Sequence, residues 1–400
     1  MKHTPISGKK QMNLPFNKPF IVGKELYYIA QAVINNKQLA GGGEFTNQCH
    51  QWLQKTLGCL KAMLTHSCTG ALEMSAMLCD IQPGDEVIMP SFTFVSTANA
   101  FVLRGAIPVF IDIRRDTLNI DETLIESAIT KKTKAIVPVH YAGYPCEMDT
   151  IMHISKGHAL FVIEDAAQAL LSEYKEKKLG TIGQLGAVSF HETKNLISGE
   201  GGALLINDEQ FIDRAEILWE KGTDRRKFQR GEVDHYTWID IGSSYLPSEI
   251  TSGFLLAQFE HAEQIVEQRR FLFSLYFELL EPLQDMQLIE LPARDIKESK
   301  NNGHIFYIIM SSTTERSHLI HHLRNKGISA VFHYIPLHSS PAGLKYGRVQ
   351  GVMDNTDDIS HRLLRLPLYF EMTEDILRTV VQEIFHFFKI SENILDAETK

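Results

Sequence analysis

A chain of 400 residues, 44% hydrophobic and 22% charged, is long enough to fold a large core and a second, smaller domain. Its net charge of −9 excludes a general nucleic-acid binder, which needs a basic field. Its five cysteines include no C-x-x-C pair, so neither a disulfide framework nor a metal site is expected, and a reducing cytoplasm fits.

Residues 1–11 read as a loose extension without the apolar core of a secretory signal, and no apolar run reaches the length of a membrane span. No membrane partner is therefore expected. The segment 12–60 is expected to pack partly with the second domain. From 61 to 248, the expected large domain, helix and strand signals alternate. Helical periodicity follows Thr69 through Leu72, Met77 and Leu78 and ends at the turn "QPGDE" (82–86). Strands are predicted at 87–90, 107–112, 135–140 and 160–165, with helices over Phe94–Leu103, near 121–130 and near 148–157. Two more apolar runs, Ala187–Phe190 and Ala203–Ile206, read as buried strands. Strands alternating with helices predict parallel βαβ units, an α/β fold with helices on both faces of one sheet. Beyond residue 248 the pattern changes. A long helical stretch runs from Glu249 towards Leu280, followed by an apolar run at 304–310 and a helix near 315–326. A second apolar run, "ISAVFHY" (328–334), and a helix near 373–389 complete an expected α+β domain over 249–392, with a tail at 393–400.

In open α/β sheets ligands bind beyond the carboxyl ends of the strands, so the residues just past each predicted strand are the candidates. The helix after residue 68 opens as "HSCTGALE". Ser67 or Thr69 can cap it, Gly70 permits close backbone approach, and a free helix N-terminus attracts an anion. The strand at 160–165 ends in Glu164 and Asp165, which are costly to bury unless a positive group meets one of them. Small residues Ala166 and Ala167 follow, then Gln168. Phe94 lies past the strand at 87–90, where an aromatic can stack on a flat ligand, although a core role competes. Ser189 lies in the run Ala187–Phe190, and Lys194 follows it, between two buried strands and close to Gly199, Gly201 and Gly202. An anion site, an aromatic plane, a carboxylate, a serine and a lysine beyond one sheet suit a flat, phosphorylated, cationic ring that forms an imine with lysine. Pyridoxal 5′-phosphate (PLP) is such a molecule.

The pieces "SCTGALE", "GDEVIMPSFTFVSTANAFVLRGAIPVFIDI", "IVPVHYAG", "VIEDAAQ", "GTIGQLGAVSFHETKN", "GEGGAL", "HYIPLH" and "LLRLPLY" occur in this order along the chain. Together they resemble the sugar aminotransferase family, the fold-type I PLP enzymes that act on nucleotide-linked keto sugars. The resemblance implies a large domain with a mostly parallel seven-stranded sheet between helices, a smaller α+β C-terminal domain, and a homodimer with its active site at the subunit interface. It implies that Lys194 binds the cofactor aldehyde and later moves a proton. It implies Asp165 at the pyridine nitrogen, Gln168 near the ring hydroxyl, Phe94 stacked on the ring, and Thr69, Gly70 and Ser189 at the phosphate. His338 and Tyr334, in "HYIPLH", are candidates for the substrate side. His191 reads at least as well as a packed or solvent-facing histidine.

One stretch departs from the family pattern. Many members carry "GxNYR", whose asparagine reaches the phosphate of the neighbouring subunit's cofactor; here the stretch is "GSSYL", which makes Ser244 the candidate. Arg225 and Arg226, in the basic loop "EKGTDRRKFQRGE", can face a substrate diphosphate, and a solvated loop reads equally well. Within the family, "SFHETKN", "DIGSSYL" and "AVFHYIPLHSSPAG" are most similar to one branch. That branch moves the amino group of L-glutamate to carbon 4 of TDP-4-keto-6-deoxyglucose, giving TDP-4-amino-4,6-dideoxygalactose and 2-oxoglutarate for enterobacterial common antigen. Amination at carbon 3, or of a UDP or GDP sugar, stays open. A 3-dehydratase of the same fold would carry histidine in place of Lys194. A non-catalytic regulator would be expected to lose Lys194 or Asp165 and to add a DNA-binding module.

Overall fold

The computed structural model describes residues 13–294 and 296–390; the expected extension 1–11 and tail 393–400 lie outside the described residues. Helices α1 (Glu25–Ala30) and α2 (Glu44–Leu57) come first. Strands then alternate with helices: β1 (Lys61–Thr65), α3 (Cys68–Leu78), β2 (Glu86–Pro90), α4 (Val95–Val102) and β3 (Ile107–Ile111). The alternation continues through α5 (Ile125–Ala128), β4 (Thr133–Ile136), α6 (Met148–His158) and β5 (Phe161–Asp165). A two-residue hairpin, β6 (Glu173–Tyr174) and β7 (Lys177–Lys178), precedes β8 (Leu185–Ser189) and β9 (Gly202–Ile206). Helices α7 (Ile212–Trp219), α8 (Arg225–Gln229), α9 (Glu249–Glu260) and α10 (Ala262–Asp285) follow. The C-terminal region holds β10 (Ile289–Glu290), β11 (Ser299–Lys300), β12 (Phe306–Met310) and α11 (Thr313–Asn325). It ends with α12 (Pro341–Tyr346), β13 (Arg348–Val349), α13 (Asp354–Arg362), β14 (Leu363–Leu366) and α14 (Glu374–Phe387).

The main sheet has eight strands in the order β1-β9-β8-β5-β4-β2-β3-β13. Neighbours from β13 to β8 pair in parallel, and β9 is antiparallel to both β8 and β1. Two details correct the expected seven-stranded βαβ succession. The eighth strand, β13, arrives from the C-terminal region. And β9 is reversed because the connection 190–201 contains no helix, whereas a parallel return needs a longer crossover, usually helical. Strands β2, β8 and β9 are buried along their whole length, as central strands covered on both faces are. Alternation within β1 shows the two layers. Leu64 packs with α2 and α9, and Met63 packs with α3, α4 and α7.

A second core joins α10, β12, α11, β14 and α14, and Leu14 of the N-terminal segment lies in it. The run 328–334 forms no strand, only single bridges from Ile328 to Leu14 and from Val331 to Arg365. The strand expected at 135–140 stops at Ile136, because Pro138 has no N–H for a ladder. Only Val139 rejoins, bridging Asp165.

Helix α2 has no side-chain cap from its own N-terminal turn. Its cap comes from α9: the buried Glu249 carboxylate accepts from the N–H of Gly43 (3.0 Å), Phe45 (2.8 Å) and Thr46 (3.2 Å), and from the Thr46 hydroxyl. An anion at a helix N-terminus also favours the helix dipole. Replacing Glu249 with alanine strands three buried donors, so stability should fall by about 2–4 kcal/mol. A denaturant titration of the variant against the wild-type protein checks this, and an unchanged midpoint would refute the capping role.

Candidate active site

A cavity of about 810 Å³ opens between the carboxyl ends of β1, β2, β5 and β8 and the segment 331–334 with β14. Lys194, Asp165, Thr69, Phe94, Gln168, Ser189 and Tyr334 all line it. Residues from four strand ends converge here because seven strands of the sheet point their carboxyl ends the same way. The reversed β9 starts where its neighbours finish. Gly202 opens β9, and a Cβ there would lie 2.3 Å from the Cys68 nitrogen. Glycine is therefore what lets the N-terminus of α3 sit against the sheet.

Ser67 caps α3, its hydroxyl accepting from Gly70 N–H at 3.1 Å. The N–H groups of Cys68 and Thr69 make no hydrogen bond among the described residues. These free donors suit an anion, and Ser189, at the end of β8, lines the same cavity. Asp165 is held in place: Oδ2 accepts from Thr97 Oγ1 at 2.7 Å and Oδ1 from Ala167 N–H at 3.1 Å. Gln168 is fixed at both ends. Its Oε1 accepts from Ala142 N–H and its Nε2 donates to Tyr334 Oη, each at 2.7 Å. Phe94 is 57% exposed, presenting its ring to the cavity.

Lys194 sits in the tight connection between β8 and β9, where Gly199 has φ +81° and Phe190 N–H donates to Gly201 O at 2.8 Å. It has no ion-pair partner among the described residues. Burial pushes its amine below the usual lysine value; Cys68 and Asp165 pull it up, and Arg365 pushes it down again. A lysine displaced in that direction presents a neutral amine more readily.

Other predicted residues are not brought to this cavity. His338 is not among the lining residues of this single chain, and its ring meets Ser91 Oγ (2.7 Å) and Asp357 (3.3 Å). Arg226 stacks on Trp219 (4.7 Å) near Glu220 (3.8 Å), and Arg225 is exposed at the start of α8. Ser244 is exposed and bridges Glu220. Several lining residues escaped the sequence reading: Thr97, His304, His333 and Arg365. Arg365 had a readable signal, a charge inside the apolar run "LLRLPLY". His304 had none. Asn195 Nδ2 donates to Asn302 O at 2.9 Å, so Asn195 Oδ1 faces His304 Nδ1 at 2.9 Å and assigns the proton to that nitrogen. Burial, then Lys194, lowers His304 well below the usual histidine value and keeps it neutral.

The sequence profile of the DegT/DnrJ/EryC1/StrS aminotransferase family matches residues 21–385. The chain belongs to this family. Among its relatives is the Bacillus subtilis spore coat polysaccharide biosynthesis protein SpsC, 31% identical over 94% of this chain and 97% of that protein. The aminotransferase TlmJ of Streptoalloteichus hindustanus superposes with a TM-score of 0.86 at 25% identity, covering 94% of this chain and 99% of TlmJ. The Streptococcus pneumoniae protein Spr1654, solved in PLP and PMP forms, shares the fold at 24% identity with a TM-score of 0.86, over 94% of this chain and 99% of that one. This sugar aminotransferase is thus a PLP-dependent enzyme, and its cavity fits the cofactor. It offers free helix donors for a phosphate, an unpaired, half-buried lysine for an aldehyde, and an oriented carboxylate for a ring nitrogen. No helix among the described residues is long and apolar enough to cross a membrane.

Borohydride treatment of the PLP-loaded protein should fix the cofactor mass to wild type and not to Lys194→Ala. Capture should proceed at a pH below the usual lysine value, since burial lowers Lys194. Cofactor mass retained on the alanine variant would remove Lys194 from its role.

Proposed function

We propose that this sugar aminotransferase moves the amino group of L-glutamate to carbon 4 of TDP-4-keto-6-deoxyglucose, yielding TDP-4-amino-4,6-dideoxygalactose and 2-oxoglutarate. The observation that carries the reaction type is an unpaired, half-buried Lys194 in one cavity with the oriented Asp165 and the free N-terminus of α3. The choice of sugar rests on the motifs around Lys194, Ser244 and His338. The B. subtilis relative, named for coat polysaccharide biosynthesis, is compatible with a product destined for a surface glycan.

When bound, PLP supplies the electron sink that stabilises a carbanion at the amine-bearing carbon. The chain supplies the rest. The N–H groups of Cys68 and Thr69, with Ser189, would hold the phosphate; Gly70, expected there, has its N–H taken by Ser67. Asp165, oriented by Thr97, keeps a proton on the ring nitrogen. Phe94 would cover one face of the ring and Gln168 would meet its hydroxyl. Lys194 Nζ takes the proton from the α-carbon of glutamate, and in the second half-reaction delivers one to carbon 4 of the sugar. Tyr334, joined to Gln168, lies on the substrate side.

The reading includes a cytoplasmic homodimer. Leu26, Tyr27, Ile34 and Trp238 are each at least 60% exposed, large apolar side chains that a second subunit would cover. The turn at Gly41–Gly42 abuts Pro247 and Arg226, linking the N-terminal helices to the loop of Trp238. Ser244, Arg225 and Arg226 belong to that loop region, where a second subunit would bring them to the neighbouring cavity.

L-Glutamate should convert the bound cofactor to its pyridoxamine form with release of 2-oxoglutarate. TDP-4-keto-6-deoxyglucose should reverse the conversion and leave an axial 4-amino group, read by NMR. An amino group at carbon 3, or reversal only by a UDP or GDP sugar, would replace this substrate with the corresponding alternative.

A further inference from the structure

Two groups in the cavity lack partners, and they are complementary. Lys194 Nζ, a donor, makes no hydrogen bond or ion pair among the described residues. His304 lines the same cavity and is 8% exposed. Only one nitrogen of its ring is used: Nδ1 meets Asn195 Oδ1 at 2.9 Å. Nε2 has no partner among the described residues.

The character of Nε2 is fixed by contacts on the far side of the ring. Asn302 Nδ2 donates to Gln168 O and Leu170 O, each at 3.0 Å, so Asn302 Oδ1 turns to the His304 N–H at 3.1 Å. Asn195 Nδ2 donates to Asn302 O at 2.9 Å, which leaves Asn195 Oδ1 to accept from Nδ1. A neutral imidazole with its proton on Nδ1 carries a lone pair on Nε2. Burial first, then the charge of Lys194, holds the ring well below the usual histidine value, with Arg269, Arg365 and His333 acting in the same direction. Nε2 is therefore an acceptor facing cations.

A buried acceptor without a donor is costly. Two arginines nearby are committed elsewhere. Arg269 Nε and Nη2 donate to Gly303 O and His304 O, and Arg365 Nε and Nη2 donate to Phe332 O. Lys194 is uncommitted, weighs most among the charges acting on His304, and is the chain neighbour of the asparagine that holds the imidazole.

We propose that His304 is a positioning residue for Lys194, its Nε2 accepting one N–H of the free lysine amine and so aiming the amine's lone pair. The inference rests on the aminotransferase reading and deepens it. A free amine has two N–H bonds and one lone pair, and anchoring one N–H restricts the directions the lone pair can take. Nζ takes the proton from the α-carbon of glutamate, becomes an ammonium and keeps its contact with Nε2. In the second half-reaction it gives one proton to carbon 4 and returns to the amine. His304 gains and loses no proton.

The test reads the ring itself, by nitrogen NMR of enzyme carrying isotope-labelled histidine and loaded with pyridoxamine phosphate, the form in which Lys194 is a free amine. The signals of His304 are those lost in a folded His304→Asn or His304→Gln variant. Nδ1 should be protonated and Nε2 bare, and Nε2 should move toward the position of a free acceptor in Lys194→Ala. A spectrum in which no histidine carries its proton on Nδ1 and responds to Lys194→Ala overturns the proposal, even if neither His304 variant folds. Kinetics gives a second readout. His304→Asn can keep a donor to Asn195 and removes the acceptor. It should slow conversion of the cofactor by glutamate roughly ten- to a hundredfold and enlarge the isotope effect of α-deuterated glutamate, with the glutamate concentration for half-conversion unchanged. His304→Gln, which places an amide oxygen near the Nε2 position, should recover part of the rate. A slowed variant whose isotope effect stays at the wild-type value has lost only structure, and overturns the proposal. If the ring signals respond to Lys194 while glutamate never converts the wild-type cofactor, the contact stands and the glutamate reading fails.

Discussion

Two neighbouring carboxylates at the end of β5 set the architecture of the site. Strand pleating sends consecutive side chains to opposite faces, so Glu164 and Asp165 cannot share a partner. Glu164 is fully buried, and its Oε1 accepts from the N–H groups of Ile182 and Gly183, each at 2.6 Å. Its Oε2 accepts from Gly180 N–H at 2.8 Å and meets His140 at 2.9 Å. That contact fixes the loop leading into β8. Asp165, one residue on, faces the cavity with Thr97 behind it. One carboxylate anchors the approach to the strand that ends in Ser189, and the other is held ready for chemistry.

The same device recurs wherever distant parts of the chain must meet. Glu249 caps α2 from α9. Asp112, past β3, accepts from the N–H groups of Asn355 and Thr356 and so caps α13. In each case a buried acceptor with several lone pairs collects donors that no ladder satisfies, which answers the demand that buried backbone groups be paired. These clamps join the C-terminal region to the sheet, and that region contributes His333, Tyr334 and Arg365 to the cavity. Asn302 adds a neutral version, donating to Gln168 O and Leu170 O at 3.0 Å each.

What could be read in the sequence follows from what is local. Apolar runs bounded by turn residues mark β2, β3, β5, β8 and β9; Asp165 and Ser189 end two of them, and Phe94 lies just past a third. Direction is not local: β9 carries the same signal whether parallel or reversed, and the connection without a helix decides it. β13 has two residues and no pattern; Arg348, ion-paired with Glu86, seats it on β3. The apolar run at 328–334 looked like a strand, yet His333 and Tyr334 turn into the cavity instead of a ladder. His338 sits five residues from His333, and spacing alone does not tell which faces the site. Ser244 and Arg225 are exposed in a single chain, so no reading of one subunit fixes what they touch.

The reversal of β9 also bears on the order in which the protein folds. β8 and β9 are sequential antiparallel neighbours, so the turn carrying Lys194 closes with little loss of chain entropy and can form as an independent hairpin. The partners of that lysine come from afar: the start of α3 follows β1, and β1 reaches β9 only after most of the large domain has been threaded. The loop of the nucleophile thus closes over a short stretch of chain, and the pocket around it is assembled from long-range contacts. Bound cofactor, by spanning both, would favour the completed arrangement over a partly assembled one.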